Sequence, residues 1–249
     1  MLPLNRRMIL VERRQVMIHL QVENVSTIID RKKIINDISF AIPAGKVFAL
    51  VGHNGAGKST LMKTILRVLE KEKEGKIIIQ EKFDQDEHFL KFKKYLSYLP
   101  EEPMLLNELT VMQHFQMYGI SYGIEENEFQ KKVDRLVHGF ELVEKLNVYP
   151  EELSKGMRQK TQTICALLPD VPVLLIDEPF MGLDIYAVDY VVQLMQEKVQ
   201  NGTSILLTTH QLDQVKHLAD EFVLLQHGEI TDSGSIEDFD TISRGTDNV

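Results

Sequence analysis

Apolar residues recur along the chain with two different periods, and the switches between them mark out the elements. Ile18, Leu20, Val22 and Val25 lead to a polar turn at Asp30-Arg31-Lys32-Lys33. Ile34, Ile35, Ile38 and Phe40 then lead to Ile42-Pro43-Ala44-Gly45. This pattern predicts two or three antiparallel strands, with Pro43-Ala44-Gly45 as a turn. Val47-Phe48-Ala49-Leu50-Val51 is a continuous apolar run and reads as a buried strand. Leu61 to Leu69 has helical periodicity without Gly or Pro. The charge run Glu70-Lys71-Glu72-Lys73-Glu74-Gly75 predicts a solvated helix end and turn with no binding role, before a strand at Lys76-Ile77-Ile78-Ile79.

Residues 84–170 read as mainly helical. Thr110 is a candidate cap for the helix that starts at Val111. Phe129, Val133, Leu136, Val137 and Phe140 fall on one helical face, and Glu125, Glu126 and Glu128 sit at its start, where the helix dipole favours acids. Val171 to Ile176 returns to a buried strand. Ile185 to Gln200 is helix, closed by Asn201-Gly202. Ser204 to Thr208 is strand, Gln211 to Ala219 helix, and Phe222 to Leu225 and Glu229 to Thr231 two short strands. The order is antiparallel strands, a strand–helix unit, a helical insertion and then β-α-β. It predicts an α/β core with parallel strands flanked by helices.

Gly52-His53-Asn54-Gly55-Ala56-Gly57-Lys58-Ser59-Thr60 lies between the buried strand and the helix that follows it. The spacing is that of a phosphate-binding loop, and the strand–loop–helix context supports the match. Its glycines let backbone N–H groups turn inward onto phosphate oxygens, at a helix N-terminus that favours anions. Lys58 is then expected at the β- and γ-phosphates and Ser59 on Mg²⁺. His53 is a spacer whose main-chain N–H matters more than its ring. After the later buried strand comes Asp177-Glu178-Pro179. An apolar run ending in Asp suits a metal carboxylate opposite Ser59, and Glu178 at a strand's carboxyl end can take the proton of an attacking water. The plainer alternative is an acid pair that only satisfies N–H groups at a helix start. His210, at the end of the next strand, is either structural or aimed at the γ-phosphate.

Composition narrows the class. The 249 residues carry a formal net charge of −9, which argues against non-specific nucleic-acid binding. No stretch has the roughly 18 consecutive apolar residues of a membrane span. The one cysteine, Cys165, lies in an apolar run and reads as a packed thiol, in a chain that fits a reducing cytoplasm. Residues 1–16 hold four arginines (Arg6, Arg7, Arg13, Arg14) and no periodic apolar face, so 1–17 is expected to be a disordered extension, with Met17 a candidate start.

With these motifs in order, the sequence resembles the nucleotide-binding domain of ABC transporters over about residues 18–230. Leu153-Ser154-Lys155-Gly156-Met157 is similar to the family's signature, usually Leu-Ser-Gly-Gly-Gln. Met181-Gly182-Leu183-Asp184 is similar to its D-loop, Thr209-His210 to its switch histidine, and Tyr98-Leu99-Pro100-Glu101 to its Q-loop. The resemblance implies a P-loop NTPase with a parallel-sheet core, an N-terminal antiparallel β subdomain and an inserted α-helical subdomain at about 102–168. These make one domain over 18–231, followed by a polar acidic tail at 232–249.

It also implies ATP and Mg²⁺ as ligands, with Glu178, His210, Lys58 and Glu101 catalytic and Ser59, Asp177 and Glu101 at the metal. Two copies would pair so that Ser154, Gly156 and Asp184 of one serve the phosphates held by the other. A separate transmembrane permease would complete the assembly, docked near Glu101 and Pro103-Met104-Leu105-Leu106, at the inner face of the cell membrane and without nucleic acid. Three departures stand out. Lys155 and Met157 alter the signature, a version similar to bacterial ATPases that pair with export-type or poorly defined permeases, including the Ecs-type transporters. Glu101 replaces Gln. Ile29 stands where an aromatic normally stacks on adenine, which implies weak selection between ATP and GTP. The alternative within the family is a soluble ATPase of translation or DNA repair. The single P-loop, the short insertion and the acidic charge disfavour it. A small-molecule kinase leaves the signature unexplained.

Overall fold

A computed structural model describes residues 17–69, 72–209 and 216–239. The expected extension at 1–16, His210, most of the helix expected at 211–219 and the end of the tail at 240–249 lie outside them. Lys216 to Leu218, the described end of that helix, form a turn.

Two 12-residue strands, β1 (Ile18–Ile29) and β2 (Lys32–Pro43), pair antiparallel. Asp30 and Arg31 both have positive φ, 49° and 64°, the conformation of a two-residue hairpin turn that matches the twist of its strands. On the other side of β1 lies β4 (Glu72–Ile79), followed by the two-residue β5 (Phe83–Asp84). The described part of the charge run expected to end a helix, Glu72 to Gly75, is therefore the first half of a strand. Glu72, Lys73 and Glu74 pair with Ile28, Thr27 and Ser26, and the ladder shifts register between Glu23 and Ser26. Gly75 sits at that shift with φ 81°, where a Cβ would lie 2.3 Å from the Asn24 carbonyl oxygen. Backbone pairing with a long neighbour has overridden the polar composition.

The second sheet has the order β10-β9-β3-β8-β7-β6. Its strands β3 (Val47–Val51), β6 (Leu96–Leu99), β7 (Val173–Asp177), β8 (Ser204–Thr208) and β9 (Glu221–Gln226) run parallel, and β10 (Glu229–Ser235) is antiparallel at the edge. Parallel strands covered on both faces read as unbroken apolar runs. Accordingly Val47, Ala49 and Val51 join one core cluster, and Phe48 and Leu50 the other. β6 departs from the expectation of mainly helix over 84–170. It is only four residues long and follows the six-residue α2 (Phe89–Lys94), too short for either period to show. The last strand runs on to Ser235, and beyond it the Phe239 ring packs edge-on against Phe222 at 5.0 Å.

Helix α1 (Lys58–Leu66) follows β3. Between β6 and β7 come α3 (Val111–Tyr122), α4 (Glu126–Gly139) and α5 (Lys155–Leu167), and α6 (Ile185–Gln200) joins β7 to β8. Thr110 caps α3 as expected, in a reciprocal capping box with Gln113. The face of α4 predicted from periodicity, Phe129, Val133, Leu136 and Val137, is buried. The parallel strands β3, β6, β7 and β8 bring their carboxyl ends to one edge, which is where open α/β sheets bind ligands.

Candidate functional site

The loop from Gly52 to Gly57 leaves the end of β3 and enters α1. Gly57 is the residue before the helix, with φ 110° and ψ 2°, a backbone that a side chain would strain. Lys58 is 8% exposed, and its ammonium donates to the carbonyls of Gly52 at 2.6 Å and His53 at 3.2 Å. Burial pulls its pKa below the ordinary lysine value, against the opposing pull of Glu178, Asp177 and Glu101. A cleft of about 640 Å³ opens here, lined by Asn54, Gly55, Gly57, Lys58, Ser59, Thr60, Glu101, Asp177, Glu178 and Ile34. His53 is exposed, with its ring nitrogen Nδ1 2.7 Å from the Asn54 oxygen and its ring 5.3 Å from that of His227. Its backbone carbonyl accepts from the Ala56 N–H at 3.1 Å, which closes the loop.

Asp177 ends β7 and is 5% exposed. Its Oδ1 accepts the Thr208 hydroxyl at 2.5 Å, so the neighbouring strand orients the carboxylate. The Glu178 N–H is shared between the backbone and side-chain oxygens of Thr208, each at 3.2 Å. Glu178 is 8% exposed and has φ 48°, a left-handed conformation uncommon outside glycine and recurrent at functional sites. The two acids are thus held by β8 and face the cleft, which favours the chemical reading over a simple helix-start acid pair. Glu101 enters from the loop after β6. Tyr98, in β6, lies beside this group; burial raises its pKa well above the ordinary phenol value, helped by the charges of Asp177 and Glu101.

An Asp carboxylate and a Ser hydroxyl lining one cleft are hard oxygen donors, which suit Mg²⁺ bound by few protein groups together with substrate phosphates. Among the described residues no group of three His, Cys, Asp or Glu could hold a metal by itself. Asp177 and Ser59 would hold the ion, with Glu101 at the same cleft.

The structure does not bring every expected residue here. Ser154 precedes α5 and caps it, its hydroxyl accepting the Met157 N–H at 3.2 Å. Asp184 precedes α6 and accepts the Ala187 N–H at 2.9 Å. Lys160 of α5 bridges to Asp184 at 2.8 Å and holds its carboxyl below the usual range, helped by the Ala187 N–H. A Cβ at Gly156 would lie 3.0 Å from the Gly182 oxygen, so the signature and the D-loop are packed together. Neither Ser154, Gly156 nor Asp184 lines the cleft. Ile29 does not line it either. Ile34, across the hairpin turn, does. Sequence reading missed Ile34, Thr208, Tyr98 and Lys160. Only Thr208 carried a visible signal, a hydroxyl closing an apolar strand beside the acidic pair.

The chain is similar to known proteins in both sequence and fold. The family described as ABC transporter matches residues 35–181. The chain is 32% identical over 209 residues to the ABC-type transporter ATP-binding protein EcsA of Bacillus subtilis (strain 168), covering 84% of this chain and 83% of that one. It is 33% identical over 208 residues to the uncharacterized ABC transporter ATP-binding protein YthP of the same organism, with the same coverage of 84% and 83%. A solved structure described as the ATP-binding subunit of an ABC transporter superposes with a TM-score of 0.85 at 33% identity, over 93% of this chain and 95% of that one.

Proposed function

The chain belongs to the ABC transporter family as an ATP-binding subunit, and from that premise we propose that it hydrolyses ATP to energise a separate membrane permease, an exporter, with two copies closing around the nucleotide. The convergence of Lys58, Ser59, Glu101, Asp177 and Glu178 on one cleft carries this reading. Phosphoryl transfer asks a protein mainly for positioning and charge stabilisation. The loop N–H groups and Lys58 hold the β- and γ-phosphates. Glu178, fixed by Thr208, accepts the proton of the attacking water, and Glu101 offers an oxygen to that water from the rim. Bound Mg²⁺ supplies neutralisation of developing phosphate charge. Ser154, Gly156 and Asp184 act on the nucleotide of the second copy, since they do not line this chain's own cleft. His210 is assigned to the γ-phosphate on resemblance alone.

Among the described residues no helix is long and apolar enough to cross a membrane, so the permease is proposed as another chain. Its docking site is a groove of about 320 Å³ whose walls include Lys94, Tyr98, Pro100, Met104, Tyr118 and Tyr122. Met104 in that wall and Leu106, two residues on, are 74% and 49% exposed, apolar surface that an interface would account for. The subunit then works at the inner face of the cell membrane. The purified chain should hydrolyse ATP in a Mg²⁺-dependent reaction and, from detergent-solubilised membranes, co-purify with a polytopic protein. Met104→Glu should lose that protein and keep ATP binding. A Met104→Glu chain that retains the permease at wild-type yield would move the docking site elsewhere.

A further inference from the structure

Between Glu101 and α3 the chain runs from 102 to 110 without helix or strand, and its backbone is held from the inside. The Met104 N–H donates to Gln162 Oε1 of α5 at 3.0 Å. The Leu106 N–H donates to His114 Nε2 of α3 at 2.9 Å, while the other ring nitrogen lies 2.8 Å from the Thr110 carbonyl oxygen. A carbonyl only accepts and an N–H only donates, so the His114 proton sits on Nδ1. Gln162 and His114 are 2% and 1% exposed, whereas Met104 and Leu106 turn their side chains outward.

A buried amide is costly unless bonded. Beside Gln162 on α5, the Ile164, Cys165 and Leu167 side chains fill the core. Gln162 is bonded at both ends, since its Nε2 reaches the Tyr118 hydroxyl at 3.5 Å. Its position links two parts of the chemistry. Met104 follows closely on Glu101, in the chain's own cleft. Gln162 is on the helix that Ser154 caps, about 12 Å from that cap along its axis at 1.5 Å per residue.

We propose that Gln162 is a positioning residue that fastens the loop beginning at Glu101 to the signature helix, so that loop and helix move as one body. A displacement of Met104 or Leu106 at the groove then reaches Ser154 and Gly156 instead of being absorbed in the loop. The state of Glu101 in one cleft likewise reaches the signature that serves the other. This rests on the two-copy reading above.

The test pairs amide hydrogen exchange with ATP kinetics. Gln162→Leu keeps the packing and removes the acceptor. Exchange at the Met104 amide should speed about tenfold, the equivalent of one hydrogen bond. ATP affinity should stay within about twofold, and turnover should fall roughly three- to tenfold. Gln162→Glu, which retains an acceptor, should return both toward wild type. His114→Asn frees Leu106 from α3 and leaves the α5 bond, so it should speed exchange at Leu106 with little effect on turnover. Unchanged Met104 exchange in Gln162→Leu, or faster exchange with wild-type turnover, overturns the proposal. An equal loss of turnover in His114→Asn does so too, because loop order alone would then matter. A wild-type chain that binds no ATP would defeat the underlying functional reading instead, and exchange at Met104 would still report on the joint.

Discussion

At the carboxyl ends of β3 and β7, Lys58, Asp177 and Glu178 are buried within one cleft, each at most 8% exposed. At the start of α5 and α6, Ser154 and Asp184 stand exposed, with their side chains spent on capping their own helices. Burial strengthens charge interactions, so the first group already perturbs itself: the Lys58 pKa is pulled down by desolvation while three carboxylates oppose the shift. The second group has geometry without burial. It offers a helix N-terminus, an exposed hydroxyl and the Lys160–Asp184 bridge, in which the carboxylate faces water and the lysine side chain is largely covered. Such groups become strong when a partner covers them. One chain therefore carries a buried cleft suited to an anionic ligand and, separately, a capped surface that the proposed function brings into play on assembly.

The sharpest way to break that contrast is Glu178→Gln. If the buried half does the chemistry, turnover should fall about 10²–10⁴-fold. Mg-ATP binding should persist, and an ATP-bound dimer should accumulate on size-exclusion chromatography. Lys58→Ala should instead weaken nucleotide binding itself. Near-normal turnover in Glu178→Gln would take the general-base role away from it.

The exposed half is tested by Ser154→Ala. Losing an N-cap hydroxyl costs about 0.5–2 kcal/mol, and in the proposed two-copy assembly the same hydroxyl is the group offered to the second copy's nucleotide. Turnover should drop about two- to thirtyfold, while ATP affinity of the dilute, monomeric chain stays unchanged. A loss of affinity at that dilution would mean that Ser154 serves its own cleft, and the division into two halves would fail.

Glu101 lies between the two, an exposed acid on the rim of the buried cleft. A carboxylate keeps the acceptor that the family's glutamine offers, lacks its N–H donors and adds charge. Glu101→Gln should preserve turnover and raise the Mg²⁺ needed for half-maximal activity by a few-fold, about 1 kcal/mol of lost attraction. Glu101→Ala with a wild-type Mg²⁺ titration would remove the side chain from the metal.

How much of this was legible in the chain followed from whether the determinant was local. The phosphate loop, the acid pair at the end of β7 and the Thr110 cap are each fixed by a few consecutive residues, and sequence reading placed them. β4 was hidden because its first half is charged and owes its conformation to β1 across a register shift. β6 was hidden because four residues show no period. Gln162 and His114 were hidden for a different reason. Polar residues within a helical pattern give no sign of which one is turned inward to meet a distant backbone N–H. The signature was legible as a motif, but what it is proposed to face belongs to another chain.

The smallest effect concerns the nucleotide's base, where one residue of the hairpin has to be chosen over another. Family resemblance points to Ile29 as the base contact, in place of an aromatic. Ile29 is the last residue of β1 and pairs with Lys32 across the two-residue turn, whereas Ile34, two positions into β2 from Lys32, lines the cleft beside the phosphate loop. Ile34 is only half-buried, so trimming it to alanine should cost about 1 kcal/mol at 0.8 kcal/mol per fully buried CH₂. That is about a fivefold loss of affinity. It should be equal for ATP and GTP, because an aliphatic contact reads a ring face and no edge. Ile29→Tyr sharpens the choice. An aromatic stack is worth roughly 0.5–1.5 kcal/mol, so a tyrosine within reach of the base would tighten both nucleotides about two- to twelvefold. Paired ATP and GTP titrations on the wild type and both variants decide the matter. A loss in Ile34→Ala with no gain in Ile29→Tyr assigns the base to β2 alone. A gain in Ile29→Tyr means the hairpin tip also reaches the ring. A wild-type preference for ATP above roughly a hundredfold would demand hydrogen bonds to the adenine edge, and would end the idea that the buried half grips phosphates and leaves the base loosely held.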